Sequence, residues 1–259
     1  MSSDFSKLTV LATTSDPAKA TPRLIRSVAR FCPGANTLLA SAKSTVAEGV
    51  TVVTVPDAQD VNGSRNALLA RVRTPYVLLI DDSIELGRKS QVEHLLKPVA
   101  GDSLDLVAGE LQRCAKRFGL FTSRELMPSH GSVLAKMMPS GEQATFQLGL
   151  PFAGTGVAEC DFTQSFFVAR TDKLRALGGW TSASPFDERE EFFLRAKRFG
   201  VRVGIRAASI ASRWSTAVEM SNDQRESRIC ALAALGVSEL IDASGRTFSA
   251  ELSSHKQAA

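Results

Sequence analysis

Apolar residues in the first eighty positions follow two rhythms. Leu8 to Thr13, Asn36 to Ala42 and Val50 to Val55 are short apolar runs of strand length. Between the first two, Leu24, Ile25, Val28 and Ala29 recur at helical spacing, from a start at Thr21-Pro22 to a stop at Pro33-Gly34. Strands alternating with helices predict a doubly wound α/β sheet. Tyr76 to Ile80 is the densest run, apolar or aromatic throughout and without alternation. It predicts a central parallel strand covered on both faces. A short helix precedes it, with Leu68, Leu69 and Val72 on one face and Asn62 or Ser64 as its cap. Pro75 ends that helix, because it pushes Thr74 out of the helical region.

Further along, Val92, Leu95, Leu96 and Val99 mark an amphipathic helix from about Lys89 to Val99, and Leu104 to Leu111 is strand-like. From Arg113 to Gly156 the pattern weakens into expected hairpins and a mobile loop, where Gly, Pro and Ser interrupt Phe118, Phe121, Met127 and Phe146. Cys160 to Arg170 is read as one strand. A helix from Thr171 to Leu177 follows, capped by Thr171 and stopped by Gly178-Gly179. A helix from Glu188 to Phe199 is expected to bury Phe192, Phe193, Ala196 and Phe199, and to expose a Glu191–Arg195 pair. Val201 to Ile205 is the last core strand. Glu219 to Leu235 reads as a charged helix, Val237 to Ile241 as its continuation or a short packed segment, and Ser249 to Ala259 as a frayed tail. The expected division is a domain over 1–215, with halves at about 1–100 and 101–215, then a helical extension over 216–259.

With 259 residues, 44% hydrophobic and 22% charged, the chain suits a packed globular fold. Its net charge of +4, mixed in sign, gives no basic stripe for nucleic acid. Cys32, Cys114, Cys160 and Cys230 lie far apart and lack metal-ligand spacing, so reduced thiols and a cytoplasmic setting are expected. Leu8 to Ala12 is too short for a leader core or a membrane span, which leaves peripheral attachment at the inner membrane face as the most membrane contact expected.

The central strand delivers Asp81 and Asp82 to its carboxyl end, where open α/β sheets bind ligands. Adjacent carboxylates repel each other and resist burial unpaired. A hard divalent cation such as Mn2+ or Mg2+, which commonly carries a diphosphate as well, would resolve both problems. An acidic, solvated strand end is the alternative that the pair alone leaves open.

Ser64-Arg65-Asn66, the short helix, and Thr74 to Asp82 together resemble the core of GT-A-fold glycosyltransferases, of the family 2 and β-1,4-N-acetylgalactosaminyltransferase types. Cys160 to Arg175 and Glu188 to Arg195 resemble two further blocks of these families, in the same order. The resemblance covers about Leu8 to Trp214. It implies transfer of a sugar, with inversion, from a nucleotide diphosphate donor, UDP-linked, to a glycan, lipid-linked or glycoconjugate acceptor. It also implies site roles. Thr13, Thr14, Asp16, Arg65, Asn66, Asp81 and Arg213 would meet the donor nucleotide. Asp161, Gly179 and Trp180 would meet the donor sugar or acceptor. Asp81 and Asp82 would hold the metal, and Glu188 or Glu190 would act as base.

The pattern departs from these families at three places. Arg189 stands where family 2 has its Asp base and the other type often has His. Ser209 to Trp214 contains no His to serve as a metal ligand, which leaves Arg213 to meet the diphosphate directly. Ser83 replaces a third Asp. A catalytically degenerate domain that binds nucleotide or glycan therefore remains an alternative. A nucleotidyltransferase is a further one, although Thr13 to Asp16 is no Gly-rich phosphate loop.

Overall fold

The computed structural model describes residues 4–14, 17–42, 49–56, 60–117, 121–127, 130–139, 141–149, 154–181, 189–214, 236–241 and 245–249. Strands β1 (Leu8–Thr13), β2 (Asn36–Ser41), β3 (Thr51–Thr54) and β4 (Tyr76–Asp81) run parallel in the order β4-β1-β2-β3. Helices α1 (Pro17–Phe31) and α2 (Val61–Arg71) make two of the crossovers. Then come β5 (Ile84–Glu85), α3 (Val92–Ala100), β6 (Leu106–Arg117), β7 (Phe121–Met127), β8 (Gly131–Met138), β9 (Gly141–Leu148), β10 (Ala158–Cys160) and β11 (Phe167–Arg170). The described chain closes with α4 (Thr171–Ala176), α5 (Arg189–Arg198), β12 (Val203–Arg213), β13 (Val237–Ile241) and β14 (Thr247–Ser249).

The main sheet has the order β10-β12-β6-β11-β4-β1-β2-β3, with β5 on β12 and β7 on β6. The antiparallel strand β11 sits between β4 and β6 and so joins the strands of the first hundred residues to those of the following part in one sheet. A second sheet has the order β14-β13-β9-β8. In β4, Val77 and Leu79 pack into one core and Leu78 and Ile80 into the other, all at 1% exposure or less. Burial of each such side chain stabilises by roughly 1.5–3 kcal/mol. The absence of polar alternation in the sequence is thus the mark of a strand with no wet face.

Several local expectations are corrected. Asp60, rather than Asn62 or Ser64, caps α2, its carboxylate accepting from the Gly63 N–H at 2.8 Å. Thr171 does not cap α4, and its hydroxyl instead donates to the Thr74 carbonyl at 2.8 Å. The run from Cys160 to Arg170 is two strands, because residues 161–166 leave the edge strand β10 and rejoin the sheet at its centre as β11. Phe199 is 68% exposed, whereas Glu191 is buried against Arg195. β12 continues to Arg213 through a bulge between Arg206 and Ile210. Val237–Ile241 is a strand, not a helix, and the expected helix from Glu219 to Leu235 lies outside the described residues. No described helix is long and apolar enough to cross a membrane.

Candidate functional site

The register of β1 against β4 pairs Thr13 with Asp81 at the carboxyl edge. Asp82 follows, its N–H donating to the Thr13 carbonyl at 3.2 Å and its carboxylate accepting from the Thr14 hydroxyl at 2.6 Å. The two strand ends are therefore locked together. Asp81 turns toward β12. One of its oxygens accepts from the Ser83 N–H at 2.9 Å and from the Ser83 hydroxyl. Its other oxygen accepts from Arg213 Nη2 at 2.5 Å, while Arg213 Nε donates to Ser83 Oγ at 3.2 Å. Trp214 N–H then donates to the Ser83 carbonyl, and its indole N–H to Glu85, so the end of β12 is fastened over the acidic loop.

Behind this edge, α2 presents polar side chains to the interior. Arg65 is 3% exposed, donates to Ser165 Oγ at 3.3 Å, and lies 5.7 Å from the Trp180 ring. Asn66 accepts from the Trp180 N–H at 2.9 Å and donates to the Trp180 carbonyl at 2.6 Å. Asn62, one turn earlier, donates to the Thr181 carbonyl at 2.9 Å. Gly179, at φ +72°, has no room for a side chain, since a Cβ would collide with Asn66 Oδ1. Trp180 stacks on Phe192 of α5, centroids 5.5 Å apart.

No family model matches the chain. It is 27% identical over 162 residues to mouse β-1,4 N-acetylgalactosaminyltransferase 2 and 29% identical over 166 residues to human β-1,4 N-acetylgalactosaminyltransferase 1. Each match takes in 60% of this chain and only 29% of the relative, so the chain spans under a third of the length of these curated relatives. Among solved structures, GalNAc-T7 with UDP, GalNAc and Mn2+ superposes over 87% of this chain and 47% of that one, with a TM-score of 0.67 at 12% identity. S. aureus TarS superposes over 87% of this chain and 64% of that one, with a TM-score of 0.58 at 12% identity. The chain has the GT-A fold. Both structural likenesses take in 87% of this chain, and both sequence relatives are N-acetylgalactosaminyltransferases.

Within this GT-A sheet, Thr13, Thr14, Asp81, Asp82 and Arg213 form one contiguous edge, whereas Arg65 bonds Ser165, just before β11. Asn66 is spent on the backbone of Trp180. Asp161 accepts from Lys197 Nζ at 2.7 Å and from the Val133 N–H at 2.8 Å. Lys197 sits two turns along α5 from Glu190, about 10 Å by helix rise, so Asp161 is tied to the far part of that helix. Glu190 is 2% exposed in the first turn of α5, with Arg189 Nη2 at 3.4 Å. Asp16 and Glu188 lie outside the described residues.

The residues present do not fit a dedicated divalent cation site. Among the described residues no three His, Cys, Asp or Glu side chains converge. The Asp81 carboxylate already carries a guanidinium and a hydroxyl, and Asp82 carries the Thr14 hydroxyl. A cavity of about 450 Å3 lined by Arg73, Tyr76, Arg170 and Arg175 opens at the opposite end of β4. It touches neither aspartate, and ligands of open α/β sheets bind at the carboxyl edge.

Four residues of this region make contacts that the sequence did not lead us to expect. Arg195 pairs with Glu191 at 2.8 Å and also donates to the carbonyls of Leu177 and Gly179. Asn62 does the same work from α2. His130 and Glu110 are both buried, with Nδ1 3.2 Å from Oε1. The Glu191–Arg195 pair has the expected i,i+4 spacing, but the other contacts join residues distant in sequence or bond a backbone carbonyl, so no local pattern signals them. The neighbouring Cys160 thiol is pushed up to about 12 by burial, then by the charges of Asp161 and Glu110.

Proposed function

We propose that this chain transfers a sugar from a UDP-linked donor to a hydroxyl of a glycan, lipid-linked or glycoconjugate acceptor, with inversion. The observation that carries the reading is the joined edge of Thr13, Thr14, Asp81 and Asp82, on a fold shared with a structure that holds UDP, GalNAc and Mn2+. The nucleotide lies across β1 and β4, with Arg65 supporting the floor. The acceptor hydroxyl attacks the anomeric carbon from the side opposite the diphosphate. A new C–O bond forms, the old one breaks, and the diphosphate leaves with the bonding electrons. Glu190 takes the hydroxyl proton. Its place in the first turn of α5 favours the anion that such a base must be at rest, and Arg189 adds to this.

The test is transfer and hydrolysis of UDP-GalNAc by the wild type and by Glu190→Gln. The substitution is expected to abolish turnover while UDP affinity persists. Turnover that survives it removes Glu190 as the base. The deep burial of Glu190 favours a second reading, a GT-A domain that binds nucleotide without turnover. UDP binding by a wild type that never turns over any UDP-sugar would select that reading.

A further inference from the structure

Charge on the leaving diphosphate has to be met by something that the Asp81–Asp82 edge can supply. We propose that two guanidiniums, Arg213 and Arg113, meet it in place of a divalent cation. This rests on the donor reading above. Three observations converge on it. Arg213 occupies the Asp81 oxygen that a cation would take, at 2.5 Å. Ser83, fastened to the same carboxylate and to Trp214, holds that guanidinium from the other side. Arg113 is paired in register with Arg213 on the parallel strand β6, so both side chains leave the sheet on the same face at the site edge.

The donor inventory agrees. Arg213 uses Nε and Nη2 on Ser83 and Asp81, and its Nη1 has no partner among the described residues. Arg113 is half-buried and has no described carboxylate or carbonyl partner, although Glu125 faces it across β7 in the strand register. Planar N–H donors of this kind bind phosphate oxygens in pairs. Two carboxylates and two guanidiniums also balance to zero charge, whereas a dication at Asp81 would sit against Arg213. As the anomeric C–O bond breaks, one further negative charge develops on the diphosphate. The N–H groups of Arg213 and Arg113 that have no partner among the described residues receive it there, with no change of protonation.

The experiment is calorimetric titration of UDP into metal-stripped wild type, once with EDTA and once with excess Mn2+. Mn2+ binding to the free chain is followed separately by electron paramagnetic resonance. Equal UDP affinity under both conditions, and an undiminished free Mn2+ signal, are expected. Arg213→Met and Arg113→Met should each weaken UDP binding about tenfold in EDTA, the scale of one charge-assisted contact. Arg213→Lys, which keeps the charge, should recover part of that loss. A circular dichroism spectrum matching the wild type certifies each variant, and the wild-type comparison needs none of them. Wild-type affinity for UDP that rises more than about tenfold with Mn2+ overturns the proposal but leaves the donor reading standing. No binding of UDP, ADP, GDP or CDP under either condition overturns both.

Discussion

Asn66 sits in a motif that suggests donor contact, yet its amide bonds both the N–H and the carbonyl of Trp180. Replacing it with Ala tests which role dominates. Trp180 is 5% exposed, so both backbone groups would lose their partner in a place where water reaches poorly. An orphaned buried polar group costs about 1–3 kcal/mol. With one of the two rehydrated through the space vacated by the amide, the net destabilisation is about 2 kcal/mol. For a chain of this size each kcal/mol lowers Tm by about 2–4 °C, so the shift is about 4–8 °C. Urea denaturation at fixed pH measures the first quantity and a thermal scan the second. UDP affinity, measured on the folded fraction well below the transition, should change less than about twofold. A variant of wild-type stability whose UDP affinity has fallen tenfold would refute the clamp and return Asn66 to the nucleotide.

Burial alone would raise the Asp105 carboxyl, but hydrogen bonds from the Arg202 side chain and backbone, with Lys173 nearby, hold it below the usual range. Its contribution is therefore present above about pH 4, the unfolded value, and is lost as pH falls through the lower folded one. Chemical denaturation from pH 7 to pH 3 should show a steeper acid loss in wild type than in Asp105→Asn, and parallel curves would contradict this. Leu79→Ala, at 1% exposure in β4, should cost about 2–5 kcal/mol by urea denaturation. Phe199→Lys, at a site 68% exposed, should stay within about 0.5 kcal/mol of wild type. A large loss there would mean that another surface covers that ring.

The parts legible in the sequence are those in which one segment decides its own state. Strand β4 has no polar residue before Asp81, and only a strand buried on both faces tolerates that. The same run fixed where the acidic pair would emerge. The parts that were not legible depend on partners far along the chain. Phe199 and Glu191 share a helix and differ by about two turns, yet their burial is the reverse of what hydrophobicity suggests. Glu191 is inside because Arg195 satisfies it, and Arg195 is inside because the carbonyls of Leu177 and Gly179 accept its remaining N–H groups. Burial of charge follows from completed hydrogen bonding, and periodicity does not report that.

The Gly178-Gly179-Trp180 turn shows what such networks do for a site. Asn66 holds its backbone from α2, Asn62 holds the Thr181 carbonyl that follows, and Arg195 holds the turn from α5. The helix that carries Arg65 and the helix that carries Glu190 are thereby coupled through one turn, with Trp180 stacked between Arg65 and Phe192. In the proposed reaction, a base and a nucleotide floor on separate helices must keep a fixed spacing for attack to be productive, since misplacement of about 1 Å can cost 100-fold in rate. Side chains that bond backbone carbonyls from both helices fix that spacing more firmly than apolar contact, because hydrogen bonds lose strength steeply with angle as well as distance. Loosening either clamp should therefore lower kcat before it changes the affinity for UDP.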